Sequence, residues 1–201
     1  MKYLTCAAFL VSSSVFAANS GHARDFGEHG GYNVAAIETT GETQESSKRG
    51  YCAMREEFDG PGSTRLTLLR EIAYPDIVYV IVDNFNWSIK ADVEYEGVTY
   101  GFSSGRYYER NAIGTVDSIY KGLLAAFPLE EFMAEFSKSK YIDIHRENIV
   151  VDELSLEGSA AATFAFARCW TYLQAQDAQK VREWKRFEHI PTDPFAKPAQ
   201  P

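Results

Sequence analysis

Chemistry in this chain would begin at Gly101-Phe102-Ser103-Ser104-Gly105, which fits the pattern G-x-S-x-G. In α/β-hydrolases that pattern sets a serine nucleophile on a sharp strand-to-helix turn in front of a large parallel sheet. His145 or His189 would supply the base and Asp143 or Asp152 the orienting carboxylate, so the order serine, acid, histidine is available. The surroundings do not suit it. Val98 to Phe102 can serve as the strand, but Arg106-Tyr107-Tyr108-Glu109-Arg110 followed by Gly114 makes a poor helix. The chain also lacks the strand-helix alternation that a parallel sheet requires. A serine and glycine turn closing a strand is the simpler reading, and a small serine hydrolase using Ser103, Asp143 and His145 is kept only as the alternative.

Three other groups of residues have the right types for a site. Asp143 and His145 are two apart in a stretch of strand texture, so they share a face, as an acid-base pair would; a solvated surface pair is the plainer expectation. His22 and His29, with Asp25 and Glu28 between them, carry metal-ligating chemistry, but they sit in a Gly-rich stretch with nothing to hold geometry, so no metal or other cofactor is expected. Arg106, Tyr107, Tyr108 and Arg110 form the densest aromatic and basic cluster, and Tyr and Arg are over-represented at binding hot spots. They are the first candidate for a binding surface, against the simpler reading of a strand with one tyrosine in the core. Val181, Trp184 and Phe187, spaced by three among basic residues, are the second. Asn86-Trp87-Ser88 fits a glycosylation sequon, which matters only in a eukaryotic secretory path.

The elements that must position these residues can be read from periodicity. Arg65 to Ile72, Ala91 to Tyr95, Val98 to Phe102, Tyr141 to His145 and Ile149 to Leu156 have strand texture, and Glu96-Gly97 reads as a tight hairpin turn. Ile77 to Val82 is a continuous β-branched and aromatic run, as in a central strand buried on both faces. Ser118 to Phe127 and Leu129 to Ser137 look helical, with Pro128 opening the second; Leu129, Phe132, Met133 and Phe136 share its stripe. Gly158-Ser159 opens an alanine-rich helix with Ser159 as its cap, and Ala162, Phe166, Cys169 and Leu173 on one face. The expected fold is α+β, an antiparallel sheet packed against two or three helices, over residues 51–173. Residues 18–50 read as a flexible leader, and 174–201 as a polar helix followed by a disordered Pro-rich tail.

Location and charge narrow the function. Met1 to Ala17 has a positive start, a short apolar run and small residues before a break, the form of a secretory signal peptide with Ala18 as the new terminus. Cys6 would leave with it. Cys52 and Cys169 then remain in an oxidising setting, where one disulfide is the simplest reading. No later stretch approaches the roughly 20 apolar residues of a transmembrane helix, so the mature chain is expected to be periplasmic or secreted, in a bacterium. Twenty Lys and Arg against 28 Asp and Glu give a formal charge of −8, the wrong sign for nucleic acid.

Leu154 to Ala162, running on to Cys169, resembles the C-terminal end of small secreted bacterial domains of uncharacterised function, where a strand ends in Gly and an alanine-containing helix and a Cys follow. Asp83 to Trp87, an Asn and Trp turn after a buried strand, is similar too. The resemblance implies an exported disulfide-linked domain and brings no catalytic residue. The expectation is therefore an exported cell-envelope binding or interaction protein without catalytic activity, with a protein partner. Its sharper form is an inhibitor or immunity protein, since an acidic surface steers association with basic wall-degrading enzymes.

Overall fold

The structure is a computed structural model and describes residues 22–38 and 50–187. The expected signal peptide and Pro-rich tail, with His189, lie outside the described residues. In chain order the strands are β1 (His22–His29), β2 (Tyr32–Glu38), β3 (Tyr51–Phe58), β4 (Thr64–Glu71), β5 (Ile77–Asn84), β6 (Glu94–Phe102), β7 (Tyr107–Asp117), β8 (Tyr120–Pro128), β9 (Tyr141–Arg146) and β10 (Ile149–Ser155). Helix α1 (Leu129–Lys138) follows β8, and α2 (Ser159–Phe187) follows β10. All ten strands form one antiparallel sheet in the order β1-β2-β3-β4-β5-β8-β7-β6-β9-β10. Sheet dominates, so α+β holds only in the coarse sense of an antiparallel sheet with helices packed on it. Neither helix is long and apolar enough to cross a membrane.

Strand alternation sorts the sheet into two faces. Val78, Val80 and Val82 of β5 point with Leu66, Leu68, Phe127 and the α1 residues Phe132 and Phe136 into the main core, all fully buried. Ile81 points the other way, into a smaller buried cluster with Ala35, Ala53 and Leu69. This is the two-sided burial expected of Ile77 to Val82. On α2, Ala162, Phe166, Cys169 and Leu173 are buried, and Cys169 is bonded to Cys52 of β3 across 117 positions of chain. The helix then runs on without a break. Lys180 meets Glu38 of β2 at 3.3 Å and Trp184 is half-buried, so this polar stretch lies back along the domain.

Four expectations are corrected. The supposed flexible leader supplies β1 and β2 over residues 22–38, with Tyr32, Val34 and Ala36 fully buried. Its glycines make a turn, not a linker: Gly30 and Gly31 have φ of 61° and 94°, and a Cβ on Gly30 would stand 2.4 Å from the Gly158 Cα. Residues Ser118 to Phe127, read as helix, are a hairpin turn with Ser118 at φ 56° and the strand β8. β8 lies between β5 and β7 and is apolar on both faces, which hides its period of two. Glu96-Gly97 is a bulge inside β6, not a hairpin turn: its pairing with β7 shifts between Tyr95 and Val98. Ser159 does not cap its own helix by its side chain. Its hydroxyl donates to the Phe136 carbonyl at 2.8 Å and so closes the end of α1.

The sheet curls until its last strand returns to the first half. The Thr64 hydroxyl of β4 donates to Asp152 of β10 at 2.7 Å, and the buried Tyr32 hydroxyl reaches the Ser155 carbonyl at 3.5 Å. Beside Tyr32, burial pushes the Glu56 carboxyl above the usual glutamate range, against the pull of the Tyr32 hydroxyl; burial alone pushes Glu71 up. A carboxyl raised in the folded state holds its proton more tightly there than in the unfolded chain. Its contribution to stability is complete below the unfolded value and is lost as pH rises through the folded one. Thermal stability should therefore increase as pH is lowered from neutral towards the ordinary glutamate value of about 4.3. Glu56→Gln, which keeps a polar partner for the neighbouring hydroxyl, should flatten that slope. Melting temperatures across a pH series check this, and a maximum at neutral or higher pH would contradict it.

Candidate functional site

The serine pentapeptide is a turn between two strands. Gly105 N–H closes on the Phe102 carbonyl at 2.8 Å, and β7, not a helix, follows. The Ser103 hydroxyl accepts the Lys140 N–H at 2.7 Å. His145 pairs with Thr99, four positions back along β6 from Ser103, which is about 13 Å at the usual rise per residue. The fold does not bring Ser103 and His145 together.

Asp143 and His145 do meet, at 2.5 Å, with side chains 14% and 32% exposed. Gly101 stands opposite Asp143 and leaves the space its carboxylate fills; a Cβ there would lie 2.5 Å from Oδ2. The pair is thus set into the sheet rather than loose in solvent. In β1, Asp25 takes the Gly27 N–H at 2.7 Å and the His29 ring meets the Phe26 carbonyl at 2.9 Å. Among the described residues no group of three His, Cys, Asp or Glu side chains could hold a metal ion.

The Arg and Tyr cluster is divided by strand alternation. Tyr108 is 6% exposed, edge-on to Phe102 and Phe127 in the core, with the Arg106 and Arg110 guanidinium groups 5.3 and 5.9 Å from its ring. Tyr107 is 64% exposed on the opposite face, across from Gly101. Arg106 is exposed and pairs with Glu131 of α1 at 3.4 Å. Tyr107 and Arg106 are therefore exposed beside each other, while Tyr108 belongs to the core.

Where the curled sheet brings β10 back to β4, a cleft of about 390 Å³ opens between the β3–β4 turn, the end of β5 and the edge of β10. Asp59, Thr64, Asn84, Trp87, Asp152 and Glu153 are its polar residues, and Phe58, Gly60, Pro61, Val151 and Leu154 complete it. The hydrogen bonds around it are directional. The Asn84 amide donates to the Pro61 carbonyl and to Thr64 Oγ1, at 3.0 and 2.9 Å, and its oxygen accepts the Asn86 N–H at 2.8 Å. Thr64 passes its own proton to Asp152 Oδ2, while Asp152 Oδ1 accepts the Glu153 N–H at 2.8 Å. Asn84 and Thr64 have thereby spent their donors inside the wall. What remains towards the opening is the Trp87 indole and the oxygen acceptors of Asp59 and Asp152, because Glu153, opposite Asp143 in the register, turns its side chain to the other face of the sheet.

Comparison with family models, with curated proteins and with solved structures found no match for the chain. The functional reading rests on the geometry of the cleft and on what supports it.

The support is on the reverse of the same strands. Next to Thr64 and Asn84 in sequence, Arg65 and Asp83 point to the other face, where Arg65 forks onto both Asp83 oxygens at 2.6 and 3.0 Å and reaches Asp117 at 3.4 Å. All three are at most 8% exposed. The Tyr120 ring lies 3.4 Å from the Arg65 guanidinium carbon, and its hydroxyl donates to Glu57 at 3.1 Å. Burial pushes the Asp83 and Asp117 carboxyls up, and the Arg65 charge pulls them back. This network ties together β4, β5 and the β7–β8 hairpin, which carry two cleft walls. Sequence reasoning missed the cleft because its lining comes from three distant segments. The one signal is the Asn and Trp turn at Asp83 to Trp87, which by itself reads as a structural motif.

Proposed function

We propose that this chain is an exported binding protein that holds a basic protein partner, an inhibitor or immunity protein against a basic enzyme being the sharper form. The observation that carries the reading is the cleft: a rigid, acceptor-rich recess in a chain of formal charge −8. The disulfide fits an oxidising compartment outside the cytoplasm. A recess whose polar side chains are already locked by hydrogen bonds loses little entropy when a ligand enters.

The test is capture from an envelope extract on immobilised, disulfide-intact protein. A stoichiometric partner should be retained at low salt and released as salt rises, because complementary charge governs such encounters. Asp59→Asn should reduce capture severalfold, and Tyr107→Ala should leave it unchanged. Capture indifferent to the carboxylate change would move the surface elsewhere. Labelling of Ser103 by a serine-directed probe, abolished by Ser103→Ala, would replace the binding reading with hydrolysis.

A further inference from the structure

We infer that the tip of the β7–β8 hairpin is the element that enters the partner: an apolar knob, with Ile119 at its apex, that fits an apolar recess bordered by lysine and arginine on a basic protein. This rests on the binding reading above and names the surface that makes the contact. Asp117 pairs with Tyr120, so the turn is the two residues Ser118 and Ile119, and Ser118 takes a φ of 56°. Such turns are the ordinary place for Gly, Asn and Asp. Here the turn displays an isoleucine that is 64% exposed.

Ile119 does not stand alone. Just past the end of β5, the exposed Phe85 ring meets the Tyr120 ring edge-on at 6.3 Å. By alternation Val116, opposite Lys121, lies on the other face of the hairpin from Asp117 and Tyr120, and it is exposed too. Val93, also exposed, accepts the Gly114 N–H at 2.8 Å through its carbonyl, two positions back from Val116. The tip is thus apolar at its apex and on both faces. Single exposed apolar residues are ordinary, but a contiguous group marks an interaction surface, and a group wrapped around a projecting turn fits a recess better than a flat face.

The buried network holds the knob in place. Asp117 reaches Arg65 at 3.4 Å, and Tyr120 lies on the same guanidinium and donates to Glu57. Both residues that close the turn are anchored below it, so little freedom is lost when the tip is enclosed. Charge decides the partner. Glu57 bonds Tyr120, Asp59 sits on the turn whose Gly62 carbonyl takes the Phe85 N–H, and Asp92 and Glu94 flank Val93. All four carboxylates are exposed, against an exposed Lys90 and a half-buried Lys121. An acidic border calls for a basic one opposite it. Two copies of this chain would set like borders and two convex tips against each other, and an anionic lipid surface would repel the same carboxylates.

The probe is the envelope protein that a cation exchanger retains at neutral pH, offered to the immobilised, disulfide-intact chain. Ile119→Ser with Phe85→Ser should cut capture from this basic fraction at least tenfold. Both residues are exposed, so the variant should keep the wild-type fold, checked by its melting temperature. A photo-crosslinking benzoylphenylalanine in place of Ile119 should join the chain to one captured protein, and the same group in place of Tyr107 should not; this reads the contact whatever the stability of the double variant. Capture unchanged in the double variant, or a cross-link from position 107 and none from 119, would overturn the assignment. So would capture from the acidic flow-through alone. Two further arms test the other occupants: sedimentation with phosphatidylcholine and phosphatidylglycerol vesicles, and the oligomeric state of the purified chain. Ile119-dependent binding to vesicles, or an Ile119-dependent dimer, would give the tip to a membrane or to a second copy and overturn the proposal. If capture survives loss of the tip but falls with Asp59→Asn, the knob fails and the binding reading stands. If the basic fraction yields no captured protein, both fail.

Discussion

Removing the Cys52–Cys169 bond, by Cys52→Ala with Cys169→Ala, should lower the unfolding free energy by about 3–5 kcal/mol, the largest loss expected from any pair of side chains here. The bond closes 117 positions of chain, so breaking it releases a large set of unfolded conformations that the cross-link forbids. The folded side loses as well. Both cysteines are fully buried, in β3 and in the inward stripe of α2, so truncation leaves two small cavities where the helix meets the sheet. For a domain of this size the loss corresponds to roughly 10 °C or more in melting temperature. Calorimetry of the double variant beside the oxidised protein measures it. A difference of about 2 °C or less would mean that packing of α2 on β2 and β3 holds the helix without the bond. Because neither sulfur is exposed, the native bond should also resist mild reductant until the protein is unfolded, which alkylation and intact mass can follow.

The parts of the fold that were legible in sequence share a physical cause, and so do the parts that were not. The stripe of Phe132, Met133 and Phe136 and the two-sided run of Ile77 to Val82 each obey one period over their whole length, so local pattern and final burial agree. The disulfide followed from compartment and cysteine count. β8 failed because a strand between two neighbours is apolar on both faces and mimics a short helix. β1 and β2 failed because glycines that serve a tight turn have the composition of a linker. Within the Arg and Tyr cluster, consecutive residues of a strand face opposite ways, so Tyr108 went to the core while Tyr107 stayed exposed beside Arg106. Asp143 and His145, two apart, did share a face. The cleft was invisible because Asp59, Asn84 and Asp152 become neighbours only when the sheet curls back on itself.

The second large effect lies behind that cleft. Arg65→Met should cost about 3 kcal/mol, because it removes the guanidinium that most directly offsets the desolvation of two buried carboxylates, Asp83 and Asp117, and leaves Arg55 as the cation acting on them. The same substitution removes the cation held against Tyr120, a smaller loss. Asp83→Asn with Asp117→Asn, leaving Arg65 charged, should also destabilise, since the buried cation then lacks a counter-charge. Combining Arg65→Met with Asp83→Asn and Asp117→Asn removes all three charges, and the loss in that triple variant should be well below the sum of the other two. Contacting members of one network behave in this non-additive way, and urea unfolding of the three variants beside the wild-type protein gives the coupling directly. Additive losses would mean that each charge is solvated independently and that no network exists. The consequence reaches the opposite face. Thr64 and Asn84 follow the backbone of Arg65 and Asp83, so loosening these strand ends should blur the hydrogen bonds that pre-set the cleft wall. Arg65→Met should therefore weaken capture of the partner severalfold at temperatures where the variant is still folded, although Arg65 cannot touch a ligand in the cleft. Unchanged binding in a folded Arg65→Met variant would show that the two faces of the sheet are mechanically independent.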